Sequence, residues 1–510
     1  MQKYDAVVVG AGNAGLAATL ELLTKGKKVL LIEQHNIPGG CATSFCRGRF
    51  EIEPSLHELC GVGSAEKPGD IRKMMEGFGV KVNWCEVKDC FRVVTKGSDG
   101  KTLDVTMPTG KDAFIAKMEE YVPGSRKKTE ELFELFDEID RGVDYLSEVG
   151  TAADTKILMK NYPNMLRVGA YPTRTVFNAM KMPQKMQDIL ETYWSYLGVD
   201  LEHLAFIHYC SMVSSYINRG AYIPSHTSHE ISVAMVERIR ELGGEVWFNC
   251  RAEEFVFDGK KVCGVKTTMG EVACDYVLAN INPDIIYGKM VDKSLISERE
   301  KKLSNARNKR YGARMFTAYY GLDCTPEELG IKDYSIFLSS TSDSVKEYES
   351  MKNIATNDYS IFLCYNIANP DFSPEGTCVC SFTTFNSAED WNEVKPEEYS
   401  AKKIMLAEKM MKNLKEKTGI DIKPHIEEAV TASPLTFARY LNAPEGSVYG
   451  YETADWDGIF ARSMSLDSDY PMMDGLYPIG TSGPRGDGYS SAYSCGKMIA
   501  DIAMSKGGNK

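Results

Sequence analysis

Three glycines and one acid near the start of the chain have the types and spacing to hold a dinucleotide. Gly10, Gly12 and Gly15 stand in the pattern G-x-G-x-x-G, with Asn13 and Ala14 inside it, and Glu33 lies further on. The first glycine permits a tight turn, the second lets backbone approach a pyrophosphate, and the third lets a helix pack closely on a sheet. Free N–H groups and the positive dipole end of a helix N-terminus would face the phosphates. The Glu33 carboxylate can accept hydrogen bonds from both ribose hydroxyls and would repel a 2′-phosphate. These roles demand particular elements. YDAVVVG, Tyr4 to Gly10, reads as a buried strand, Leu16 to Leu23 as a helix, and KKVLLIE as a second strand that ends on Glu33.

The segment after Glu33 separates nicotinamide from flavin. HNIPGGCATSF brings a second glycine doublet, Gly39 and Gly40, one loop beyond the ribose acid. This stretch resembles flavoproteins of the FAD-linked amine oxidase and phytoene desaturase type. GRFEIEPSLHELCG, which contains His57, is similar to the family pattern G-[FY]-x-F-[DE]-x-G-x-H-x-x-G, with Pro54 and Ser55 where the family carries a glycine. Residues 242–282 resemble the second FAD-domain segment, with a strand reaching Ala252, a hairpin at Asp258–Gly259 and a strand toward Asn280. The resemblance implies that the backbone of Ala252 meets the adenine. Asp474 to Met504 resembles the closing motif, a strand, a turn carrying Gly480, Gly483, Gly486 and Gly488, and a long helix. Asp487, Gly488 and Tyr489 would lie where that helix points its N-terminus at the flavin's pyrimidine ring, and its dipole would stabilise negative charge at N1 and C2=O. The chain is similar in these blocks to the carotenoid desaturase, carotenoid isomerase and retinol saturase superfamily, which implies non-covalent FAD.

The expected fold is α/β. A Rossmann-like FAD-binding domain is assembled from the discontinuous segments 1–80, 223–290 and 435–510, and an α+β substrate-binding domain from 81–222 and 291–434. Its length of 510 residues, about three domain-sized units, accommodates both. Residues 111–149 read as helices broken at Pro123–Gly124. Next comes a stretch rich in methionine and aromatics: Met159, Met165, Met180, Met182, Met186, Tyr193, Trp194, Tyr196, Phe206, Tyr209, Met212 and Tyr216. Core packing accounts for most of these. Some, Tyr193 among them, are expected to line a pocket for a long apolar ligand. YSIFLCYNIA and CVCSFTTF read as strands and 398–417 as a helix.

His57 is the expected proton-handling group, because an imidazole beyond the FAD loop could give or take a proton at carbon while flavin N5 moves hydride. Tyr489 and Tyr493 are weaker candidates for substrate or flavin contact. In AYIPSHTSHEISVAM, polar residues Ser225, His226, Thr227, Ser228 and His229 replace a glycine pair of the resembled family. Two readings stand: Ser228 caps a helix, or His226 and His229 bind a polar end of the substrate.

A net charge of −12 and a pI near 5.3 disfavour nucleic acid, and no such partner is expected. The same charge disfavours adsorption to anionic lipid through bulk attraction. At most peripheral membrane contact is expected, and the basic run Arg126 to Lys128 reads as a solvated helix face. No apolar run reaches membrane-spanning length and no signal peptide is read, so a cytoplasmic location is expected. The 14 cysteines are scattered without C-x-x-C spacing and read as reduced thiols, Cys41 and Cys495 included. No metal site is expected, since His226 and His229 alone carry ligand-like spacing.

The implied activity is hydride transfer at flavin N5 to or from carbon–carbon bonds of a long, apolar, unsaturated substrate such as a carotenoid, retinoid or fatty acid. Desaturation, saturation and double-bond isomerisation all remain open, as does the electron donor or acceptor. No second dinucleotide fingerprint appears, so a dedicated NAD(P)H domain is not expected. An amine oxidase on the same fold would need a flavin-facing lysine and an aromatic cage. A non-enzymatic relative such as the Rab GDP-dissociation inhibitors, which bind prenyl chains, would have lost cofactor features. This chain keeps Glu33 and all three fingerprint glycines.

Overall fold

The apolar run KYDAVVV forms the strand Lys3–Val9 at the centre of a seven-stranded sheet. A computed structural model describes residues 3–149, 153–307, 310–312, 314–451, 473–481, 483 and 488–507. In it Lys3–Val9 lies parallel to Val29–Ile32 on one side and to Gly270–Ala279 on the other, and Glu245–Trp247 and Leu476–Pro478 extend the parallel part. Parallel strands need cover on both faces, which is why VLLI of Val29–Ile32 is buried throughout. Ala6, Val8 and Leu31 pack against helices Asn13–Thr24, His229–Glu241 and Tyr489–Gly507. Tyr4, Val9, Leu30 and Ile32 pack on the other side against Phe255, Val262 and Ile286. Ala252–Asp258, Lys261–Thr267 and Gly270–Ala279 form an antiparallel meander whose last strand joins the parallel part. Ala252 opens a strand instead of ending one, because the chain turns after Trp247 through Asn249, at φ 54°.

A second seven-stranded sheet runs in the order Ile426–Ala432, Met315–Leu322, Cys378–Phe385, Ser360–Cys364, Ser335–Leu338, Asp89–Lys96, Thr102–Pro108. Only Ser335–Leu338 and Asp89–Lys96 pair in parallel. Strand alternation gives its faces different work. Phe316, Ala318, Tyr320, Cys378, Cys380 and Phe382 pack with Leu406, Met410 and Leu414 of the helix Tyr399–Thr418. Tyr319 and Thr383 face the other way, where they meet Pro54 and His57 after the strand Phe50–Ile52, and Ser381 on the same face meets Tyr365. Helices Lys111–Tyr121 and Arg126–Val149 flank Pro123–Gly124, and with Phe206–Arg219 they enclose the aromatic core of this half. Among the described residues no helix is long and apolar enough to cross a membrane.

Candidate active site

The fingerprint glycines form a turn wedged between two other segments. Gly12 ends the turn and the helix Asn13–Thr24 starts without a side-chain cap, which leaves its first N–H groups for a ligand. At Gly15 any side chain is excluded, since a Cβ would overlap the Gly10 carbonyl oxygen. Asn280, at the end of the strand Gly270–Ala279, bonds its N–H to the Val9 carbonyl at 2.8 Å. Its side-chain amide lies so close that a Cβ on Gly12 would be 2.7 Å from Nδ2, and one on Gly480 would strike Oδ1. Three glycines, Gly10, Gly12 and the distant Gly480, thus surround one residue. Asn280 had no role in the sequence reading, because only the sheet order brings it there.

Glu33 is buried and holds the loops in register. Its Oε2 accepts the Ala11 N–H at 2.7 Å and its Oε1 the His35 N–H at 2.9 Å. A carboxylate has about four acceptor positions, so about two remain for ribose hydroxyls. Gly39 bonds its N–H to the Ala11 carbonyl and bridges Gly12, and Gly40 comes next, beside Gly12. The Cys250 N–H reaches the Glu33 carbonyl, which brings Ala252, two residues on, close to the ribose acid. Ala14 lies where the last helix crosses the first at Gly496. The Asn13 side-chain oxygen is buried without a hydrogen-bond partner among the described residues, as expected of a group awaiting a ligand. The cradle is the right chemistry for FAD: open helix N–H groups, a ribose acid and closely set backbone. Gly488 precedes the helix Tyr489–Gly507, while Asp487 and Gly486 lie outside the described residues.

Four tyrosines hold the His57 segment by its backbone. Tyr319 donates its hydroxyl to the Pro54 carbonyl at 2.6 Å, Tyr365 to Leu56 at 3.0 Å and Tyr216 to Glu58 at 3.2 Å, and Tyr334 donates to the His57 carbonyl. Glu53 anchors the other end. It accepts the N–H groups of Ser55, Leu56 and Ser228 and the Ser228 hydroxyl. Burial pushes the Glu53 carboxyl up to about 7 against these donors.

His57 is half-buried between two hydroxyls, Tyr196 Oη at 3.3 Å from Nδ1 and Thr383 Oγ1 at 3.1 Å from Nε2. Loss of water lowers the imidazole to about 4, so it is neutral at physiological pH. Tyr196 donates to Glu58 Oε1 at 2.9 Å. Burial pushes Glu58 up to about 8, which the Tyr196 hydrogen bond only partly opposes, and its Oε2 has no hydrogen-bond partner among the described residues. A hydroxyl that donates to Glu58 can accept from His57 Nδ1–H, so the three residues form a continuous proton path. Glu58 escaped the sequence reading, and Tyr196 entered it only as one of many core or pocket aromatics. A run of tyrosines looks like core, and an acid next to a histidine looks like surface.

The other candidates fall elsewhere. Tyr193 is buried behind Tyr196, its hydroxyl bonded to the Cys90 carbonyl at 2.8 Å and its ring stacked on Tyr216. Tyr489 ties three segments together, with its hydroxyl near the Cys41 carbonyl, Ser55 Oγ and Ser228 Oγ. His226 is exposed and its N–H bonds Glu230, while His229 sits among Glu51 and the Pro38 and Ala42 carbonyls, beside the flavin loop. Neither supplies a hydrogen bond to His57. Ser228 occupies the cap position before His229–Glu241 but makes no capping bond, because its hydroxyl is drawn to Glu53. Burying that carboxyl demands donors more strongly than the helix end does.

Residues 8–70 match the family model described as an NAD(P)-binding Rossmann-like domain. The chain is 27% identical to the all-trans-retinol 13,14-reductase of Danio rerio, over 98% of this chain and 86% of that protein. It is 21% identical to the chloroplastic prolycopene isomerase of Daucus carota, over 98% of this chain and 80% of that protein. An oxidoreductase structure from Methanosarcina mazei superposes with a TM-score of 0.67 at 15% identity, covering 98% of this chain and 100% of that one. A redesigned putrescine oxidase superposes at 0.65 and 14% identity, covering 99% of each chain. The fold is that of the FAD-dependent amine oxidases, and the sequence homologues are a retinol reductase and a carotenoid isomerase.

Proposed function

We propose that the chain is an FAD-dependent oxidoreductase acting on carbon–carbon double bonds of a long, apolar, retinoid- or carotenoid-like substrate. The observation that carries this reading is His57 joined by hydrogen bonds through Tyr196 to the buried Glu58, set in an aromatic wall. Gly10, Gly12, Asn13 and Gly15 would hold the pyrophosphate, Glu33 the ribose and Ala252 the adenine, with Gly480 and the last helix toward the flavin ring. Bound FAD supplies hydride exchange at N5.

Reaction at an unactivated polyene also needs a proton at the neighbouring carbon. His57 is a proton donor or acceptor in reach of an apolar chain, and the Tyr196 hydroxyl relays between its Nδ1 and Glu58. Thr383 fixes the ring's second nitrogen until substrate arrives. Tyr193, Tyr196, Tyr216 and Phe337 supply apolar ring surface and exclude water. An amine oxidase is the second reading, and the homologues favour it less than the fold neighbours do.

The test is anaerobic purification, identification of the flavin, and incubation of the reduced protein with all-trans-retinol and with prolycopene. A product two hydrogens heavier indicates saturation, and an unchanged mass with altered geometry indicates isomerisation. Hydrogen peroxide formed from amines, with both polyenes untouched, would reject the proposal in favour of the amine oxidase.

A further inference from the structure

Three cysteines of the second sheet meet at one point in its core. Cys378 and Cys380, two residues apart on the strand Cys378–Phe385, project from the same face. Cys364, the last residue of Ser360–Cys364, is the cross-strand partner of Cys380. All three are free thiols and fully buried, and their sulfurs lie within 4.8 Å of one another. On the other side of Cys378 the strand Met315–Leu322 pairs Leu322 with it, and Cys324 follows two residues later. Cys324 is close enough to Cys378 for their charges to interact. It also groups with Asp323 and His425, of which Asp323 is exposed and His425 half-buried. Ligand atoms thus run from the surface inward. Strand pairing gathers them, which is why their spacing along the chain shows no metal pattern.

A buried cysteine is by itself an ordinary core residue. The convergence of three sulfurs is not. A metal–sulfur distance of about 2.3 Å sets the sulfurs of a trigonal or tetrahedral site about 3.8–4.0 Å apart, so these three can close on one ion with small side-chain shifts. An all-sulfur set selects thiophilic metals over magnesium or calcium. Thiolates within an apolar cluster that also holds Phe362, Phe382 and Ile422 need a cation beside them. At the start of the turn Tyr365–Ile367, the Cys364 thiolate is favoured by the Cys378 and Cys380 thiols and by the N–H groups of Asn366 and Ile367, the polar support that metal-bound sulfur receives.

We infer that Cys364, Cys378 and Cys380 bind one thiophilic d10 metal ion, zinc(II) or copper(I), with Cys324 as the fourth ligand where the ion takes four. The ion would clamp neighbouring strands behind the His57 segment. The Cys364 N–H bonds the Tyr334 carbonyl at 3.0 Å, and Cys364 directly precedes Tyr365. Tyr334 and Tyr365 are the two tyrosines that hold the His57 and Leu56 carbonyls. An effect on turnover rests on the proposed function, whereas metal binding does not.

The experiment uses the full flavin-loaded chain, purified without chelator. Elemental analysis should find one zinc or copper per chain, or the reduced chain should take up one Zn2+ on titration. Cd2+ in place of zinc should raise the ultraviolet band of cadmium–thiolate bonds. X-ray absorption of the zinc form should show three or four sulfurs at about 2.3 Å. Cys364→Ala/Cys380→Ala should lose the metal and the band, while Cys210→Ala/Cys274→Ala, which removes two other buried thiols, should keep both. If the first variant does not fold, X-ray absorption of the wild type and protection of the three thiols from alkylation by bound zinc decide the matter. None of these readouts depends on turnover. Absence of bound metal together with absence of uptake, a ligand shell of nitrogen and oxygen, equal metal in the two variants, or a Cys364–Cys380 disulfide in the purified chain would overturn the inference.

Discussion

The Tyr365 hydroxyl donates to the Leu56 carbonyl at 3.0 Å, across 309 residues of sequence. It is one of four tyrosine hydroxyls that fix the backbone from Pro54 to Glu58, so the second sheet with its flanking residues and the helix Phe206–Arg219 together set the position of His57.

Tyr365→Phe keeps the ring stacked on Phe372 and removes only the donor. A buried carbonyl left unsatisfied costs about 1–3 kcal/mol. Chemical denaturation should show a loss in that range, and turnover should fall more than flavin affinity does. An unchanged unfolding midpoint would show that the hydrogen bond is dispensable.

Glu58→Gln tests the proton path through stability. The folded state holds the Glu58 carboxyl proton up to about pH 8, whereas the unfolded chain releases it near 4.5. The native state therefore binds more protons across that window, stability falls as pH rises through it, and the penalty is complete above pH 8. His57 has the opposite sign: its imidazole is lowered from 6.5 to about 4, so stability is lost as pH falls through that interval. In Glu58→Gln the alkaline loss should shrink by a few kcal/mol at most. Urea unfolding at the two ends of the window measures it, and identical slopes in wild type and variant would remove Glu58 from the account.

His57→Gln preserves size and some hydrogen bonding but not acid–base chemistry. Turnover should drop by roughly two to four orders of magnitude while the flavin spectrum is retained. Near-normal turnover would assign the histidine a structural role and pass proton transfer to solvent or to Tyr489.

Glu33→Ala removes the acceptor for two ribose hydroxyls as well as the Ala11 and His35 N–H groups. The loss for the ligand is on the order of 2–3 kcal/mol if both bonds are charge-assisted. Flavin occupancy at limiting FAD should fall accordingly. Gly12→Ala should act through a different contact, by driving a methyl against Asn280. Release of flavin in this variant without loss of fold is the outcome that supports the cradle.

By itself the sequence made the candidate cofactor cradle legible: Gly10, Gly12, Gly15 and Glu33, the doublet Gly39–Gly40, and the strand and the helix near the end of the chain. Phosphate recognition is local, made by one turn and one helix start, so its residues lie together in the chain and carry a readable spacing. Tertiary structure alone decided the surroundings of His57. Tyr196, Thr383, Tyr334 and Tyr365 come from separate elements, and nothing in their local sequence distinguishes a tyrosine that binds the His57 backbone from one that fills the core. For the same reason the Ser228 hydroxyl turned to Glu53 instead of its helix, and Asn280 entered the glycine turn. Burial decides which polar groups must find partners, and burial is set by how sheets and helices pack across the whole chain.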